Sequence, residues 1–167
     1  MKKLIFLIFC LFSISTFAQQ VKISEYVEVV DLPNMSKNQI FNTSKIWIAK
    51  SFKSSNSVIQ YEDSATGTIV GKGNMQFPCQ GTWSCMAHKD DILVFTIKID
   101  TKDNKARISF NDMTMKINTK GATKFVAIGQ EIQTVPEKDN DVIQLGLKNI
   151  VQDFKNGIHT ESSDSNW

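Results

Sequence analysis

The chain has one arginine, Arg107, two histidines, three cysteines and no apolar run long enough to cross a bilayer. Each shortage excludes something. Nucleic-acid binders carry a cationic surplus that neutralises phosphates. Here 19 basic side chains face 17 acidic ones. Lys2 and Lys3 belong to an N-terminal segment that reads as removable, and without them the charges balance. Nucleic acid is therefore not an expected partner. The histidines, His88 and His159, sit neither in a metal-ligand spacing nor beside a Ser, Cys or Asp in a recognisable triad context. No hydrolase elbow, zinc motif or EF-hand loop is present, and Gly71-Lys72-Gly73 matches neither nucleotide fingerprint. No catalytic residue, metal ligand or cofactor is expected.

The N-terminus supplies the clearest signal. Met1-Lys2-Lys3, an apolar run from Leu4 to Phe12, and small residues at Thr16 and Ala18 form a secretory signal peptide over 1–18, cleaved before Gln19. The run is short of the roughly 20 residues that span a membrane, so no span is expected after cleavage. Phe9 is too bulky for a lipoprotein signal ending at Cys10. The expected location is the periplasm or the extracellular space. The mature part, 19–157 with a disordered tail at 158–167, is of single-domain size. Cys10 leaves with the signal, and Cys79 and Cys85 remain as an even pair in an oxidising compartment. A structural disulfide is the expectation; two free thiols, or metal or redox chemistry, are the alternatives.

Hydrophobic periodicity gives the order of elements. Val21 to Val30 alternates as a strand with Val21, Ile23, Val27 and Val29 on one face. Ser36 and Gln39 form a capping box that starts a helix over about 37–53, with Ile40, Phe41, Ser44, Trp47, Ile48 and Phe52 as its apolar stripe. Val58–Asp63 and Thr68–Phe77 flank a hairpin loop. On the core face of the second strand, Gly71 and Gly73 leave room for a large side chain, for which Trp47 is the natural occupant. Asp91–Asp100 alternates again. The next strand changes parity between Phe110 and Met113, which predicts a β-bulge near Asn111-Asp112. Residues 118–135 form a connection with an apolar patch at Phe125–Ile128. A last helix follows Pro136, buries Val142, Ile143, Gly146, Leu147, Ile150, Val151 and Phe154, and ends at Asn156-Gly157. The sum is an α+β domain, order β-α-β-β-β-β-α, with one antiparallel sheet and both helices on one face.

Several stretches resemble a family of small exported Bacteroidota proteins, a domain of unknown function with a TBP-like fold. They are Ser36–Phe52 with Trp47-Ile48-Ala49, Val58–Asp63, Gly67-Thr68-Ile69-Val70-Gly71-Lys72-Gly73 and the Ile97–Arg107 hairpin. The resemblance covers about residues 25–118 and is most specific from Glu62 to Gly73. It implies a curved sheet backed by helices, in agreement with the order above. It implies neither DNA binding nor catalytic residues, because fold does not fix function.

What remains for function is a surface. Outward strand positions carry Gln60, Thr68, Lys72, Asn74, Gln76, Thr96, Lys98, Arg107, Ser109 and Lys116 among Val70, Ile92 and Val94. Lys72, Lys98 and Arg107, with Trp83 as an exposed aromatic anchor, form the expected binding surface. The functional expectation is a non-enzymatic envelope binding or accessory module whose partner is an envelope protein or a glycan. The alternatives are a hydrolase using His88, Asp90 or Asp91, and a homo-oligomer built through a sheet edge.

Overall fold

The computed structural model describes residues 25–52, 58–117, 131–132, 135 and 137–164. The signal segment, Val21, Ile23, the apolar patch at 125–128, Pro136 and the last three residues lie outside the described residues. Five strands, β1 (Glu25–Asp31), β2 (Ile59–Asp63), β3 (Thr68–Gln76), β4 (Ile92–Lys102) and β5 (Lys105–Lys116), form an antiparallel sheet in the order β1-β5-β4-β3-β2. A two-residue strand, β6 (Glu131–Ile132), pairs with Met115 and Lys116 of β5. Helices α1 (Lys37–Ser51) and α3 (Asn140–Asp164) pack on one face, and a short helix, α2 (Thr82–Ala87), joins β3 to β4.

Helix α1 begins where its capping box predicts. The Ser36 backbone N–H donates to Gln39 Oε1 at 2.9 Å, and Gln39 N–H donates to Ser36 Oγ. Its entry is tied to the β4–β5 turn: Lys37 N–H donates to Asp103 Oδ1 at 2.7 Å, and Leu32 N–H to the Asn104 carbonyl at 2.7 Å. Asn104 takes φ 64°, a left-handed turn conformation that asparagine tolerates. The core then assembles from period-two strands and period-3.6 helices. Leu93, Phe95, Ile97 and Ile99 of β4 are fully buried, as are Ile108 and Phe110 of β5 and Ile143, Leu147 and Phe154 of α3. Phe95 stands edge-on to both Phe52 and Phe110, and Trp47 edge-on to Phe52 and Phe154.

The bulge in β5 is present. Val94 pairs with Thr114 and Thr96 with Asn111, so β5 spends one residue more than β4, and Asp112 takes φ 52°. Ala106, Ile108 and Phe110 before it and Met113 and Met115 after it all face the core.

Five expectations require correction. The face of β1 is inverted: Val27 and Val29 are 47% and 57% exposed, while Val30 is buried and Tyr26 and Glu28 are half-buried. Pairing sets this, because Val27 lies opposite Ser109 and Val29 opposite Arg107, on the outward side of β5. The glycine pocket has other occupants. A Cβ on Gly73 would meet the Phe95 and Phe52 rings, and one on Gly71 would meet the Val58 carbonyl, which accepts a bond from Lys72 N–H. Trp47 approaches a different glycine, Gly157 of α3, where an added Cβ would lie 2.6 Å from its ring. Gly157 therefore does not cap α3, which continues to Asp164. Ile158, assigned to a disordered tail, is fully buried. The connection between β3 and β4, for which the order β-α-β-β-β-β-α has no helix, contains α2.

Candidate functional site

Three of the four expected surface residues lie on the face of the sheet opposite α1 and α3. Pairing places Lys98 opposite Val70 and Ser109, Lys72 opposite Thr96, and Arg107 opposite Asp100 and Val29. Lys98 and Arg107 converge on Asp100, which the sequence reading did not single out. Arg107 donates to Asp100 Oδ2 through Nη2 at 2.6 Å and Nε at 3.2 Å. Lys98 Nζ lies 3.1 Å from the same oxygen, and Thr68 Oγ1 donates to Oδ1 at 2.9 Å. Burial pushes the Asp100 carboxyl up, but the bonds from Arg107, Lys98 and Thr68 outweigh it and hold the group below the ordinary carboxylate range. Two of the three expected cations are thus partly neutralised within the face. Asp100 was legible: a turn that pairs Lys102 with Lys105 puts Asp100 opposite Arg107. A shallow depression of about 200 Å³ lies beside them, lined by Val29, Asp100, Lys102, Lys105, Ala106 and Arg107.

Trp83 is elsewhere. It sits on α2, beyond the Gln76 end of β3, whereas Thr68 and Asp100 mark the other end, roughly 27 Å away at strand rise. Trp83 is 84% exposed, and Met86, one turn along, is 66% exposed. Reading the segment as a helix would have found Met86 by its i, i+3 spacing. The tip that carries them is braced on both sides. Cys79 and Cys85 are joined by a disulfide, and Gly81 enters the helix at φ 78°, which favours glycine. On the far side the His88 ring packs on Phe77 with centroids 4.5 Å apart, and its Nδ1 lies 2.8 Å from Oδ2 of buried Asp91. Phe77 N–H donates to the Asp91 carbonyl, and Gln76 Nε2 to the Lys89 carbonyl. His88 and Asp91 thus meet, and their contacts fasten α2 to the strand ends. Asp90 is exposed on an open depression lined also by Asn74, Gln76, Lys89, Asp91 and Ile92. Among the described residues no group of three or more His, Cys, Asp or Glu could hold a metal ion.

An antiparallel sheet carrying its helices on one face, with no described helix on the other, defines an α+β protein of TBP-like architecture. Residues 26–116, just over half of the chain, match the family model described as a domain of unknown function (DUF4468) with TBP-like fold. The chain belongs to that family. It is similar in fold to a TBP-like protein from Parabacteroides distasonis, with a TM-score of 0.60 and 17% identity over 81% of this chain and 92% of that one. A DUF4468 family protein from Bacteroides ovatus matches 55% of this chain and 54% of its own length at 21% identity and a TM-score of 0.46. No match is found among curated proteins.

Proposed function

We propose that this chain is a non-catalytic binding or accessory module of the cell envelope, engaging its partner through the open sheet face and the disulfide tip. One observation carries the reading. Both long helices cover the same face, and the other is left with Val27, Val29 and Tyr61 about half exposed among polar residues. The tip adds Trp83 and Met86, an aromatic and a flexible thioether held out by a braced helix, so little loop entropy remains to be lost on docking. The signal-like N-terminus and the disulfide support placement outside the cytoplasm.

Crosslinking pulldown from the envelope fraction tests this. Tagged wild-type protein is compared with a variant carrying Lys72→Ala, Trp83→Ala, Lys98→Ala and Arg107→Ala, whose fold is checked by circular dichroism. A partner recovered by the first and lost by the second supports the reading. An unchanged partner set rejects it.

A further inference from the structure

The two edges of the sheet differ. The β2 edge is short and irregular: it spans five residues, a bulge at Gln60 shifts its register, and Glu62 is ion-paired with Lys45 at 2.8 Å. The β1 edge is regular along all seven residues, Glu25–Asp31, and no described strand pairs with its outer side. Beside it, between β1 and α3, runs an open groove of about 470 Å³ lined by Tyr26, Glu28, Asp141, Gln144, Leu145 and Lys148. Leu145 is 47% exposed there, although it lies on the helix that buries Ile143, Leu147 and Ile158.

We propose that the outer edge of β1 is a strand-addition site for an extended segment of a partner protein in which cationic and aliphatic residues alternate. Charge selects the occupant. Glu25, Glu28 and Asp31 are the only charged residues of β1, and at the groove itself Glu28 and Asp141 stand against the single cation Lys148. In an added strand, residues opposite Tyr26 and Glu28 face the groove. A lysine or arginine there lays its stem over Leu145 and brings its charge to Glu28 and Asp141. Residues opposite Val27 and Val29 face the open side and continue its aliphatic margin. A second copy is the wrong occupant. Antiparallel self-pairing centred on Glu28 sets Glu28 against Glu28 and Glu25 against Asp31, like charges directly opposed. This site goes beyond the open-face reading, because an edge can be filled while the face stays bare.

The test uses an eight-residue, fluorescein-labelled peptide alternating lysine and valine, read by anisotropy and by amide hydrogen exchange on the wild-type protein. Saturable binding is expected, with exchange slowed along β1 and unchanged along β2. Methylating alternate peptide amides, or replacing its lysines by glutamate, is expected to weaken binding by about tenfold or more. Glu28→Lys does the same. Should that variant misfold, the exchange pattern on the wild type still decides. Equal binding of the methylated peptide, protection at β2 in place of β1, no saturable binding, or self-association through β1 in sedimentation each overturns the proposal.

Discussion

One set of strands makes the two faces of this sheet, yet the faces are chemically opposite. Along β4, Leu93, Phe95, Ile97 and Ile99 point under the helices and are fully buried, while Ile92, Val94, Thr96, Lys98 and Asp100 point away. The covered face is held by apolar burial and edge-on aromatic contacts, each large side chain stabilising by about 1.5–3 kcal/mol. The open face is held by hydrogen-bonded charges that offset one another, of which Arg107, Asp100 and Lys98 form the clearest set. On the proposed reading, stability and recognition are thereby separated. Residues on the open face can change without disturbing the packing beneath, which is what a docking surface requires.

That separation can be broken at several points. The largest effect belongs to the covered face. Phe95→Ala removes a ring that packs on Phe52 and Phe110, and is expected to destabilise by about 3–5 kcal/mol in denaturant unfolding. Reducing the tip disulfide, or replacing Cys79 and Cys85 by serine, is expected to cost about 2 kcal/mol, since the closed loop is short. That loss should show as a lower midpoint with little change in slope. The open face should respond least: Arg107→Ala is expected to leave the unfolding midpoint nearly unchanged, as for exposed ion pairs. A cost near that of Phe95→Ala would end the proposed division of labour.

pH dependence sharpens the same contrast at the β1 margin. Burial first, and then the bond to Glu28 at 2.6 Å and its charge, push the Tyr26 hydroxyl up to about 12. The native state thus favours the neutral phenol. Its contribution is complete below the ordinary tyrosine pKa of about 10 and is lost as pH climbs through 12. Ultraviolet titration should find a tyrosinate appearing near pH 12, absent in Tyr26→Phe. The Asp100 carboxyl works in the other direction. Held low, it contributes above the ordinary aspartate pKa of about 3.9, and the contribution fades as pH falls below that value. Asp100→Asn should flatten acid unfolding slightly.

The sequence makes the covered face readable and leaves the open one mostly hidden, for a physical reason. Burial imposes period, so Ile40, Trp47, Ile97, Leu147 and even the parity change before Met113 announce themselves. Edge positions obey pairing instead. β1 carries valines on both parities, and only its register against Arg107 and Ser109 decides which of them faces outward. Gly157 resembles a helix end because glycine usually is one, and only the Trp47 ring shows why it stands inside α3. Of the candidate site, Lys98, Arg107 and Trp83 were legible as outward-facing residues. That Trp83 belongs to the opposite end from Arg107 depends on topology, which spacing alone does not encode.

The bulge in β5 also makes chain length itself adjustable at one position. Removing Asp112 would leave Phe110, Met113 and Met115 in strict alternation with Asn111 and Thr114, so the same side chains would reach the core through a straighter strand. The loss would be the local bend and the bond that Thr96 Oγ1 donates to Asp112 at 2.9 Å. A single-residue deletion in mid-strand ordinarily turns every later side chain to the wrong face. Here it should give a folded protein, and comparing its melting with that of a chain lacking Thr96 would show it. The gene would then lose a codon here while the protein keeps its core.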